Sequence, residues 1–176
     1  MTSGFSADDV AVKNGAFFGF GISPPEAEVV ILSAPWDATT SFREGTSSGP
    51  AAVLEASYQL DFTSPYRPRA WESRIATLPV PPHWLQWNHN CRASAVEVIR
   101  ALEAGGKPHP GLVAQVNEGS ARFHGELYRA ALEELSAGKK LVTLGGDHSV
   151  SFGPLKAHME RQPGLSVLHI DAHADL

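Results

Sequence analysis

Asp171, His173 and Asp175 alternate along the last residues of the chain, directly after an apolar run, Leu165–Ile170. Carboxylates and imidazoles bind divalent cations, and in an extended chain residues two apart point the same way. The three side chains can therefore converge at the mouth of a strand. A second cluster, Gly145-Gly146-Asp147-His148-Ser149, follows another short apolar run. The paired glycines permit a sharp turn with a close backbone approach. His148 can then offer a ring nitrogen to a metal, with Asp147 orienting a neighbour and Ser149 capping the helix that follows. Asp and His ligands suit manganese or a similar divalent ion. Two such ions about 3.5–4 Å apart can share a water and turn it into hydroxide near neutral pH. Asp-x-His occurs often by chance, but the two clusters in this order point to a two-metal hydrolytic centre.

Strands must carry both clusters. Glu28–Ala34 and Lys140–Leu144 read as strands buried on both faces, and Leu165–Ile170 as another. A helix over 150–161 between the last two makes a βαβ unit with a right-handed crossover. Open parallel sheets bind ligands beyond the carboxyl ends of their strands, where both clusters lie. Further helices are expected from Gly49-Pro50 to Leu60, from Arg92 to Ala104, and over 118–137 behind an Asn117 N-cap. Residues 61–90, with five prolines and three tryptophans, read as loops around a short strand near 74–80. Residues 1–27 form a polar, glycine-rich lead-in, and 28–176 one α/β unit.

Composition narrows the function. The 176 residues carry 14 basic and 19 acidic side chains, for a formal charge of −5, and are 43% hydrophobic. That fits a soluble globular domain. No Lys/Arg cluster offers a nucleic-acid groove or a membrane-surface patch. No apolar run approaches the roughly 20 residues of a membrane span. One cysteine, Cys91, excludes an internal disulfide and fits a reducing compartment, so the expected location is the cytoplasm. His83, His89 and His109 fall in proline-rich loops and read as surface residues. His169 shares the parity of Asp171 and reads as a core or outlying histidine rather than a ligand.

Gly145–Ser149 and Asp171–Asp175 resemble the first two signature motifs of the ureohydrolases, the arginase and agmatinase family. Gly45–Pro50, running on to Ala56-Ser57, resembles the family's N-terminal Gly-x-x-x-Gly-Pro segment, and Asp37–Arg43 its substrate-side loop. The likeness runs from about residue 28 to the end, apart from about 61–115. It implies a three-layer αβα sandwich with a mainly parallel sheet and two Mn2+ ions, with Ni2+ a possible substitute. By the same likeness His148 binds the first metal, Asp171 bridges both, His173 binds the second and Asp175 the first. Asp175 also has a catalytic role, accepting a hydrogen bond from the hydroxide that attacks the guanidinium carbon. The products are urea and an amine.

The family continues to a Ser-x-Asp-x-Asp-x-x-Asp-Pro motif with two further ligands, and nothing in this chain resembles it. The expectation is an N-terminal portion of a longer, homo-oligomeric enzyme, inactive or impaired as it stands. The small guanidino substrate is agmatine-like. Formiminoglutamate or free guanidine remain open, as does a non-catalytic fragment with a vestigial metal half-site. A metallophosphoesterase is disfavoured, because its motifs run in the opposite order and its Gly-Asn-His is absent.

Overall fold

The apolar run after Glu28 forms β1, Val29–Ala34, in a computed structural model that describes residues 11–62, 65–66 and 69–173. β1 is the middle strand of a parallel sheet, between β2 (Ile75–Thr77) and β3 (Lys140–Gly145). A central parallel strand is covered on both faces, so every position can be apolar. Val30, Leu32 and Ala34 enter the main core, and Ile31 and Ser33, of opposite parity, are buried as well. The register sets Val29 opposite Lys140 and Ala34 opposite Gly145. The carboxyl ends of β1 and β3 are thereby level, and Trp36 lies beside Gly146.

Among the described residues, four α-helices flank the sheet: α1 (Gly49–Ser57), α2 (Pro82–Glu103), α3 (Pro110–Ser136) and α4 (Phe152–Arg161). Phe123, Leu127 and Ala131, four residues apart along α3, are fully buried. Trp36 stacks on Phe123 with ring centroids 4.4 Å apart, and Trp84 meets the same ring edge-on at 5.2 Å. Burying side chains of this size contributes about 1.5–3 kcal/mol each. Gly153 of α4 lies so close to α3 that a Cβ there would sit 3.0 Å from the His124 carbonyl. The architecture is the expected α/β class, a three-layer αβα arrangement around a parallel sheet.

Three elements differ from the sequence reading. α2 starts at Pro82 rather than Arg92, and α3 at Pro110 rather than Glu118. In both, proline occupies the first helical position, where its missing N–H is no loss. Prolines that read as loop punctuation are helix starts. His109, not Asn117, caps α3, its Nδ1 accepting from the Gly111 N–H at 3.1 Å. Trp84 is therefore a helical core residue, 2% exposed. The strand expected over 165–170 is also absent. These residues are irregular, with Leu168 85% and Ile170 87% exposed. An apolar strand needs a ladder partner and cover on both faces. Among the described residues neither is supplied to this segment.

Candidate metal centre

β3 ends at Gly145, and the turn that follows, opened by Gly146, is built on contact with the end of β1. Gly146 has φ +63°, and a Cβ there would lie 2.4 Å from the Trp36 carbonyl oxygen and 2.6 Å from that of Ala34. The Asp147 N–H donates to the Trp36 carbonyl at 2.8 Å, and the Gly146 N–H to that of Thr46 at 3.4 Å. Asp147 then caps a short 3₁₀ turn, His148–Ser151, accepting from the Ser149 N–H at 3.0 Å and from the Ser149 hydroxyl. The cap is thus Asp147, and Ser149 is its donor, the reverse of the arrangement expected. The turn places His148 at the carboxyl edge of the sheet.

Across from it, Asp171 Oδ2 lies 3.3 Å from His148 Nδ1 and 3.7 Å from His169 Nε2. The His148 and His169 rings are 5.3 Å apart at 75°. One ligand atom each from His148, His169 and Asp171 falls within 4.8 Å of the others. Donors at about 2.0–2.2 Å from a common ion are separated by roughly 3–4.4 Å, and the Asp171 oxygen lies within that range of both rings, so this mixed nitrogen and oxygen set is a candidate for one divalent cation. His173 stands beside the other carboxylate oxygen, with Nδ1 3.4 Å from Asp171 Oδ1, and does not belong to the three-atom group. Its backbone N–H donates to the same oxygen at 2.9 Å. That bond, with the nearby His148 and His169, holds the Asp171 carboxyl below its ordinary value despite the opposing effect of desolvation. Asp175 lies outside the described residues.

The structure therefore brings His148 and Asp171 together and adds His169. Its shared parity with Asp171 is the available signal, and the expectation of a buried strand points it toward the core instead. His83 sits on the first turn of α2 and is engaged elsewhere, its Nε2 2.7 Å from Glu126 Oε2.

The loop between β1 and α1 abuts the Gly146–Asp147 turn. Asp37 is 3% exposed and accepts from the amides of Gly45 (2.7 Å) and Ser47 (3.1 Å) and from Asn88 Nδ2 (2.9 Å). Burial pushes its carboxyl up, and these hydrogen bonds outweigh burial and hold it below the ordinary aspartate value. Arg92 of α2 donates to the Thr40 and Ala38 carbonyls and pairs with Glu44 at 3.2 Å.

A family model described as Arginase family matches residues 27–176. The chain is 37% identical to an N(1)-aminopropylagmatine ureohydrolase of Thermus thermophilus, over 86% of this chain and 41% of that protein. It is 31% identical to an agmatinase of Photorhabdus laumondii, over 99% of this chain and 49% of the relative. An agmatinase of Bacillus anthracis is also 31% identical, with 96% and 47% covered. The chain thus spans about half the length of these relatives or less. The crystal structure of a hypothetical agmatinase from Burkholderia thailandensis superposes with TM-score 0.53 at 22% identity, over 82% of this chain and 37% of that one. That likeness shows the shared fold.

Proposed function

Because this chain belongs to the arginase family, we propose that it carries part of the centre of a binuclear-metal amidinohydrolase. The substrate is a guanidino-amine of the agmatine type, and the products are urea and an amine. Its relatives bear the names agmatinase and aminopropylagmatine ureohydrolase, both guanidino-amine activities. The observation that carries the reading is the approach of His148 and His169 to one oxygen of Asp171 at the carboxyl edge of a parallel sheet.

In this proposal His148, Asp171 and Asp175 would hold one ion, with His169 beside them, while Asp171 and His173 would serve the second. Manganese suits the donors, and nickel is the alternative. When bound, the ions supply a water acidic enough to react as hydroxide near neutral pH. The chain's own contribution is placement. Asp147 fixes the turn that aims the His148 ring, and the Asp171 carboxylate stays ionised and ready to bind. Asp175 would accept a hydrogen bond from the nucleophile and set its direction. The single cysteine, buried in α2, is in keeping with a reducing cytoplasm.

A second reading, a weak and non-catalytic half-site, is favoured by exposure, since the His148 side chain is 51% and that of His169 41% accessible. Calorimetric titration with MnCl2 followed by a urea-release assay on agmatine separates the two. Binding with urea release supports the hydrolase, weak binding without turnover supports the half-site, and no binding refutes both.

A further inference from the structure

Helix α2 reaches the Gly146–Asp147 turn through a chain of polar contacts that starts from Asn88 and Arg92, which lie outside the motifs that carry the family resemblance. Asp37 and Asn88 hold each other reciprocally. The Asp37 N–H donates to Asn88 Oδ1 at 2.8 Å, and Asn88 Nδ2 donates to Asp37 Oδ1 at 2.9 Å. The other Asp37 oxygen takes the Gly45 and Ser47 amides and closes the loop between them. Arg92, one turn further along α2, holds the near side of that loop through the Ala38 and Thr40 carbonyls and its tip through Glu44. Both ends of the loop then receive the metal turn, since Trp36 and Thr46 supply the carbonyls that accept from Asp147 and Gly146.

We propose that Asn88 and Arg92 are positioning residues for the metal centre. They act through Asp37 and the 38–47 loop on the Gly146–Asp147 turn, and so on the aim of His148. The proposal rests on the hydrolase reading for its consequence, and on the hydrogen bonds alone for its mechanism. A buried, multiply bonded carboxylate is a costly arrangement to leave half made, because each lost partner strands a desolvated charge. Ordinary loop closure needs only the Gly45 and Ser47 contacts. The reciprocal pair adds a connection to a helix that contributes no metal ligand among the described residues.

The pair permits an exchange test. Asp37→Asn alone sets two amide NH2 groups against each other, and Asn88→Asp alone sets two carboxylates together. The double exchange restores every bond. The amide oxygen introduced at position 37 takes the Gly45 and Ser47 amides, and its NH2 donates to the carboxylate introduced at position 88. That carboxylate in turn accepts the backbone N–H of residue 37. Each single variant is expected to bind Mn2+ about 10- to 100-fold more weakly, as for outer partners of metal ligands, with the double variant within about 3-fold of the parent. Amide exchange is read alongside. Gly45, Ser47, Gly146 and Asp147 are expected to exchange at least about 10-fold faster in the singles, with Phe123 and Leu127 in α3 unchanged. A double variant no better than the worse single overturns the proposal. So does equal acceleration in α3, which is the mark of general destabilisation. If the parent takes up no Mn2+, the hydrolase reading fails separately, and the exchange pattern at Gly146 and Asp147 alone decides the positioning role.

Discussion

Replacing Gly146 with alanine tests whether the turn that carries His148 is held by packing against β1 or only by its own conformation. Gly146 (φ +63°) and Gly138 (φ +78°) are both left-handed, so alanine at either incurs the same kind of backbone penalty, about 1–2 kcal/mol. They differ in surroundings. At Gly138 a Cβ meets nothing within 4 Å. At Gly146 it meets three backbone atoms, Trp36 O at 2.4 Å, Ala34 O at 2.6 Å and Trp36 N at 3.0 Å. No flexible side chain can move aside, so the end of β1 or the turn itself must shift. Overpacking of this kind costs about 1–3 kcal/mol in addition.

Gly138→Ala is thus the control, and the difference between the two variants isolates the packing. With a urea m-value of about 2 kcal/mol/M, that difference moves the unfolding midpoint by roughly 0.5–1.5 M. Displacing the turn also stretches the Asp147 N–H bond to Trp36, so Mn2+ affinity is expected to fall in Gly146→Ala and to hold in Gly138→Ala. Equal midpoints for the two alanine variants would refute the claim that β1 seats the turn.

Four further outcomes are expected. His148→Ala and Asp171→Ala should each weaken Mn2+ binding at least about 10-fold by calorimetry, and parental affinity in either removes it from the site. His83→Ala breaks only a half-exposed pair with Glu126, so Mn2+ affinity should hold and stability change by no more than about 1 kcal/mol; lost metal binding would place the site elsewhere. Asp37 sits below its ordinary value because hydrogen bonds outweigh burial, so its stabilisation is complete above the unfolded value of about 3.9 and is lost as pH falls through the folded one. Asp37→Asn should therefore be the less stable protein near neutrality and show the flatter acid limb in urea unfolding, and parallel limbs contradict this. Leu168→Ser, at an 85% exposed position, should cost under about 0.5 kcal/mol while Leu127→Ala, fully buried, costs about 2–5; similar costs would mean that 165–170 is packed.

What the sequence discloses about the fold follows from how local each signal is. β1 is legible because its central place makes it apolar on both faces, and a run so short and so apolar is better suited to a buried strand than to a helix. β3 is legible from its run and its terminal glycines, although as an edge strand it is less buried, with Val142 47% exposed. The starts of α2 and α3 are not legible, because Pro82 and Pro110 can mark a loop or a first helical turn equally well. Only the packing of Trp84 against Phe123 decides between those meanings, and that contact joins residues far apart in the chain. The run at 165–170 fails in the opposite sense. Its residues carry a strand's composition, but composition supplies neither a ladder partner nor cover.

That failure reaches the site, because alternation is the argument for grouping Asp171, His173 and Asp175. Alternation holds only while the chain is extended. At Asp171 it bends: the carboxylate accepts the His173 N–H two residues on, a local bond that competes with extended geometry. His173 leaves the alternating set at that point, and His169, on the other side of the bend, stands beside Asp171 and His148. The residue types in the two clusters mark the candidate site, while which histidines stand closest together there depends on where the chain bends. The Asp37–Asn88 pair lies further from view. A separation of 51 positions divides the two polar side chains, no sequence pattern links one to the other, and only the folded chain shows that they face each other. Candidate metal ligands announce themselves by chemistry, whereas any groups that would aim them are set by geometry, so reading a sequence finds the first kind well before the second.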